Sequence, residues 1–284
     1  MERLTILCFA GTYGLALASD LTRLVVRNRG RWSLTLALTA LGWAVHTAFL
    51  GNLARERHAL PVTTVYESLL VLAWLLAAID LYLVVRSPKP VAVGVFILPL
   101  VLTLATAAGL SGEGVSWGGW GGWPMFWGMV HGLLLLAGVV SACVAFLAGL
   151  MYLAQANRLK RKRPGGYGLA LPSLEQSERL NRGAITLAFP LLTCGMAIGL
   201  ALIPALREGN GRHLGWTDPK VLSTGAFWLV FAALLHARYR PAMRGRRVMV
   251  LTAVAFAFLV FALIGVGPIL PTDHGAGRVD GRAR

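Results

Sequence analysis

Charge is scarce in this 284-residue chain, and acid is scarcest: 14% of residues are charged, with 12 Asp and Glu against 27 Lys and Arg. A water-soluble domain of this size carries about a quarter charged residues, so the shortage excludes an ordinary soluble protein. Cysteine is equally thin. Cys8, Cys143 and Cys194 each sit in an apolar run without CxxC spacing. That excludes a disulfide framework or a cysteine metal site and predicts three buried, small apolar side chains. No basic stretch is interleaved with aromatics in a polar setting, so the formal charge of +15 does not indicate a nucleic-acid partner. The first apolar run has no small-residue cleavage site behind it and leads into Asp20 and arginines, the pattern of a retained span.

What the chain has in abundance is apolar sequence, 56% of its residues. Runs of the roughly 20 residues that a membrane helix requires begin near Leu4, Ser33, Val62, Val91, Met129, Ala184, Val221 and Val248. The predicted fold class is all-α: a polytopic membrane protein of about eight transmembrane helices, one domain over residues 1–284. The basic residues collect in alternate links. Arg23, Arg27, Arg29 and Arg31 follow the first run, and Arg86 and Lys89 the third. Arg158, Lys160, Arg161, Lys162, Arg163, Arg179 and Arg182 follow the fifth; Arg238, Arg240, Arg244, Arg246 and Arg247 follow the seventh. Such links lie in the cytoplasm, which puts both termini and the other loops on the outer side. No inverted repeat and no pair of helices broken at mid-depth points to a secondary transporter.

Two outward loops stand out. SGEGVSWGGWGGWPMFWG holds Trp117, Trp120, Trp123 and Trp127 and no Lys or Arg. Its glycines argue against regular helix, and its indoles suit either an interfacial anchor or a platform for a flat aromatic ligand. REGNGRHLGWTDPK gathers Arg207, Arg212, His213, Trp216, Asp218 and Lys220, a cradle for carboxylate groups.

Histidine sits at the ends of the apolar runs. His131 opens the fifth and His274 follows the eighth, so the topology puts both at the outer face beside the loop containing Trp216 and Asp218. Two imidazoles at matched depth form either a bis-histidine haem site or a pair of hydrated interfacial side chains. His236 closes the seventh run near its cytoplasmic end, where a histidine also complements the helix dipole. His46 lies about 20 Å deep in the second run, 13 residues from its cytoplasmic end at 1.5 Å per residue. The depths of His46 and His236 do not match, and one iron is not expected to take both. His58 lies in a polar outward loop. Glu67, about one turn inside the third run, must be protonated, paired or facing water; it either bonds a ligand or ties its helix to Arg55 or Arg57.

Four segments in order resemble the integral-membrane cytochrome c assembly proteins of the CcsA/ResC/HemX type, over most of the chain. They are PVTTVYESLLVLAWL, MVHGLLLLAGVVSACVAFLAGLMYLAQANRLKRK, LPSLEQSERLNRGAITLAFPLLTCGMAIGLAL and GWTDPKVLSTGAFWLVFAALLHARYRPAMRGRR. The resemblance implies haem b handling at the outer face of the cytoplasmic (inner) membrane. It puts His131 and His274 on the two external haem-ligating histidines, and Trp216, Asp218, Pro219 and Lys220 on the end of the family's "WWD" loop. Haem is joined from that loop to the CxxCH cysteines of apocytochrome c. His236 falls on a membrane histidine that helps hold a second haem, whose opposing ligand comes from a ResB/CcsB-like membrane subunit. The loop departs from the family pattern in having Gly215 and Thr217 around Trp216, and Val221 where glutamate is usual. That departure also fits a HemX-like accessory protein that affects haem synthesis or supply without attaching haem.

Overall fold

The structure is a computed structural model, and it describes residues 2–22, 29–57, 60–62, 64–86, 93–111, 123–162, 171–210, 219–240 and 245–262. Eight helices cover nearly all of them: α1 (Glu2–Thr22), α2 (Arg29–Arg57), α3 (Val65–Arg86), α4 (Gly94–Ser111), α5 (Trp123–Lys160), α6 (Leu174–Asn210), α7 (Pro219–Tyr239) and α8 (Arg246–Val260). Each corresponds to one apolar run of the sequence, and the protein is an all-helical polytopic membrane protein. Among the described residues α2, α3, α5, α6 and α7 are long and apolar enough to cross a bilayer; α1 and α4 contain shorter apolar stretches, Ile6–Thr22 and Gly94–Leu110. Large apolar side chains such as Leu7, Leu41, Tyr82, Leu187, Leu229 and Val254 face outward, as lipid solvation permits.

Helix boundaries differ from the apolar runs for local reasons. Helix α6 starts ten residues before Ala184 because Ser173 and Gln176 cap it reciprocally. The Ser173 N–H donates to Gln176 Oε1 and the Gln176 N–H to Ser173 Oγ, each at 3.1 Å, which satisfies two otherwise unpaired donors of the first turn. Helix α5 starts at Trp123, so Trp123 and Trp127 lie on helix and not in the expected glycine-rich loop; Pro124 in the first turn removes an N–H that would lack a partner anyway. The cysteines also depart from expectation. Cys143 is buried, whereas Cys8 and Cys194 are exposed, since a helix bathed in lipid gains nothing by turning a small apolar residue inward.

The helices form two rings of four. In the first, α1 packs on α2, α2 on α3, α3 on α4 and α4 back on α1; in the second, α5, α6, α7 and α8 follow the same order, and α5 joins the rings through α3 and α4. Neighbours run antiparallel. Phe9 stacks on His46 at 4.1 Å while Ser19 meets Thr35, and Trp74 donates to Thr47. Four antiparallel helices return the chain to the face it entered, so α5 enters the second ring from the side at which α1 enters the first. Asp20 and Asp80 close the first ring at the start of α4, both facing a point above Gly94 Cα at 2.5 and 3.5 Å.

Lipid chains drive no hydrophobic association between helices, so close packing and interhelical hydrogen bonds hold them. Helix α6 supplies most of these in the second ring. Asn181 Nδ2 donates to the Ala145 carbonyl of α5 at 2.8 Å and to Thr252 Oγ1 of α8 at 3.4 Å. Trp228 Nε1 of α7 donates to Thr193 Oγ1 at 2.9 Å, and Arg238 Nη2 donates to the Glu178 carbonyl, also at 2.9 Å. We expect Asn181→Ala to destabilise the protein by about 1 kcal/mol, the scale of such bonds in membranes. Thermal unfolding in detergent measures it, and an unchanged midpoint would show that Asn181 does not bridge the helices.

Candidate functional site

His131 lies on α5, eight residues from the start of the helix and so about 12 Å along its axis. It is half-buried against α6. Its Nδ1 lies 2.6 Å from the Gly195 carbonyl oxygen. A carbonyl only accepts, so Nδ1 carries the proton and the lone pair of the neutral ring is on Nε2. This is the arrangement usual for metal-ligating histidines, in which one ring nitrogen donates to the protein and the other binds the metal. The geometry fits an axial ligand to haem iron. Trp127 sits one turn earlier on α5, on the same face, and touches Trp123 and Phe126 at ring-centroid distances of 6.5 and 5.6 Å.

His274, Trp216 and Asp218 lie outside the described residues, as do His58, Arg212 and His213. Pro219 opens α7, and Lys220 lies in its first turn. Arg207 belongs to the last turns of α6. The backbone therefore brings the end of α6 and the beginning of α7 to the end of the bundle where α5 begins.

His236 is at the other end. It lies in the last turn of α7, exposed, with Arg240 Nε donating to its Nε2 at 2.9 Å. Two residues on, Arg238 is buried against the first turns of α6 and pairs with Glu178 at 3.3 Å. Along α6, Glu178 and Gly199 are separated by 21 residues, roughly 30 Å at the helical rise. That length matches the hydrocarbon core of a bilayer, so His131 and His236 cannot share an iron. His46 is fully buried in the first ring, with Tyr13 Oη 3.5 Å from its Nδ1. Among the described residues α2 makes no packing contact with α7, so the structure does not bring His46 and His236 together.

Glu67 is fully buried at the start of α3 and forms an ion pair with Arg57 at 2.6 Å. Its Oε2 also accepts from the Thr64 N–H at 3.2 Å, while Thr64 Oγ1 accepts from the Glu67 N–H at 3.1 Å. The tie to Arg57 that the sequence allowed is formed; the T-x-x-E spacing is a capping signal that reading by hydropathy passed over. Sequence reasoning also missed Gly195 and Gly199, and it read Trp127 as part of a loop and not as a helical neighbour of His131. Trp127 was within reach through its four-residue spacing from His131, whereas the glycines depend on how α5 and α6 pair. A groove of about 830 Å³ between α3, α5 and α6 is lined by Ile79, Val144, Gln176, Arg179 and Leu187. It lies toward the Glu178 end, away from His131.

Known proteins resemble this chain over most of its length. Residues 62–271 match the family described as "Cytochrome C assembly protein", nearly three-quarters of the sequence, and the chain belongs to that family. Among curated relatives, the "Cytochrome c biogenesis protein CcsA" of Guillardia theta is 26% identical over 246 residues, 80% of each chain. The protein of the same name from Synechococcus sp. (strain CC9605) is 26% identical over 289 residues, 93% of each chain. That of Microcystis aeruginosa is 27% identical over 266 residues, covering 77% of this chain and 80% of its own.

The Glu67 geometry generates a separable test. Glu67→Gln keeps a capping side chain but removes the charge facing Arg57. We expect a loss of about 1–2 kcal/mol of stability, less than for a fully buried pair because Arg57 is partly exposed, with haem content per folded protein unchanged. Lower haem content at unchanged thermal stability would show instead that Glu67 contacts the ligand.

Proposed function

We propose that this membrane protein of cytochrome c biogenesis binds haem b at the outer face of the cytoplasmic membrane and presents it for attachment to apocytochrome c. The observation that carries the proposal is the donation from His131 Nδ1 to the Gly195 carbonyl, which leaves Nε2 as the basic nitrogen at the family's haem-ligand position. His131 and His274 would hold the haem iron. Trp216 would pack against the porphyrin, Asp218 would orient neighbouring donors, and Pro219 and Lys220 would complete the loop's part of the site. Trp127, one turn from His131, adds an apolar wall. When bound, haem supplies vinyl groups to which the thiols of a CxxCH segment add, so the reacting sulfur comes from the substrate.

His236 serves a second haem together with a ResB/CcsB-like membrane subunit. Its exposure on the surface of the bundle supports an opposing ligand from outside this chain. The Val221 departure in the loop favours a second reading, a HemX-like accessory protein that holds or supplies haem without attaching it. Both readings share the haem site and differ in whether thioether-linked cytochrome accumulates when the protein is supplied with its partner subunit and apocytochrome c.

Replacing either His131 or His274 with alanine leaves five-coordinate haem, weakly held. Added imidazole is expected to restore the six-coordinate visible spectrum of each single variant. A double variant with haem content and spectrum like the parent would refute the site.

His236→Ala is expected to cost the isolated chain little haem and to remove the inner haem from a complex with the ResB/CcsB-like subunit. Co-purification followed by haem quantification measures both. An isolated chain carrying two haems, one of them lost on His236→Ala, would place the opposing ligand within this sequence.

A further inference from the structure

The place of His131 is set by the neighbouring helix as much as by its own. Three contacts at successive levels interlock α5 and α6. Leu192 lies where a side chain on Gly138 would be, Leu135 lies over Gly195, and the His131 imidazole lies over Gly199. A Cβ on Gly199 would stand 2.5 Å from His131 Cε1 and 2.8 Å from Nδ1; one on Gly195 would stand 2.8 Å from Leu135 Cδ2 and 3.2 Å from its backbone nitrogen. Contacts under 3.0 Å force a displacement, so any side chain at 199 must push the imidazole out of its seat. Seated there, the ring places Nδ1 2.6 Å from the Gly195 oxygen, at the short limit for an N–H donor. A helix carbonyl has a second lone pair beyond the one used along the helix, and this one is spent on His131.

We propose that Gly195 and Gly199 are positioning residues for the haem iron. Gly199 leaves the notch that sets the depth and plane of the imidazole, and the Gly195 carbonyl holds the ring in the Nδ1–H tautomer. In that tautomer the lone pair of the ring is on Nε2. The proposal rests on His131 being an axial ligand. It adds that the ligand is pre-set by α6 before haem arrives, and that the hydrogen bond raises the basicity of Nε2 and so its donor strength toward iron. Gly132, next to His131 on α5, has nothing within 4 Å of where its Cβ would be, and neither has Gly183 on α6. The notch is therefore a property of particular glycines and not of glycine in these helices generally.

The test has two arms, both on the full chain in lipid nanodiscs. The first uses haem-free protein labelled with ¹⁵N-histidine, with the His131 signals identified by their loss in His131→Gln. Imidazole ¹⁵N shifts distinguish the two neutral tautomers, and Nδ1–H is expected; Nε2–H would overturn the proposal. This arm depends on no glycine substitution and no haem. The second compares Gly199→Val and Gly132→Ala after haem loading. Gly199→Val is expected to lower haem affinity about tenfold, the scale of lost orienting contacts at metal ligands, and to shift the low-spin electron paramagnetic resonance signal. Added imidazole should recover both, which a merely unfolded protein would not show. Gly132→Ala should match the parent. A Gly199→Val protein with parental affinity and signal would overturn the positioning role. If His131→Ala leaves haem unchanged, the axial assignment itself falls, while an Nδ1–H result in the first arm still upholds the seating of the ring by α6.

Discussion

The close approach of α5 and α6 is the contact on which the rest of the second ring depends. Water cannot satisfy a polar group in hydrocarbon, so each polar side chain must be answered from another helix, and α6 does most of the answering. Asn181 reaches both α5 and α8, Thr193 receives Trp228, and the Glu178 carbonyl receives Arg238. The bond from Asn181 to the Ala145 carbonyl has its length only where α6 lies near α5, and the glycines at 138, 195 and 199 permit that approach. A small residue at a helix interface therefore does more than save space. It brings a backbone carbonyl within reach of a side chain on the facing helix, and at Gly195 that side chain is His131.

The same helix separates two chemistries. Its first turns, with Glu178 gripping Arg238, sit among the arginines and lysines that end α5 and α7 and begin α8. Its later turns hold the imidazole. A bilayer's thickness of α6 lies between them, so a cofactor at His131 and another at His236 would be held in different leaflets by one rigid rod. His236 is exposed on the bundle, whereas His46 is buried behind Phe9 and Tyr13.

The eight helices were legible because each membrane helix writes its own length in apolar residues, with Arg and Lys marking its ends. The position of His131 at the head of α5 was legible for the same reason. Which helices pair was not, because hydropathy has no register: Gly138, Gly195 and Gly199 look no different in sequence from Gly132 and Gly183, which face open space. The start of α6 was missed because Leu174 to Gly183 is too polar to register as a span, although its Ser173–Gln176 cap was written in the sequence. Burial of cysteine was overestimated by carrying the habits of a water-soluble core into lipid, where the outside of the bundle is apolar as well.

Cys194 shows how the chain keeps its own thiols away from His131. It immediately precedes Gly195 on α6, but one residue turns the helix by about 100°. Gly195 faces α5, and Cys194 is exposed. Cys143 is buried in the core of α5, twelve residues beyond His131 and so about 18 Å deeper along the same helix. Cys8 is on the first ring. None of the three thiols is directed at the nitrogen that the α6 carbonyl prepares for iron. On the proposed function, a chain that seats an imidazole so closely yet turns its own sulfur away would hold haem without reacting with it, and the thiols would come from the substrate.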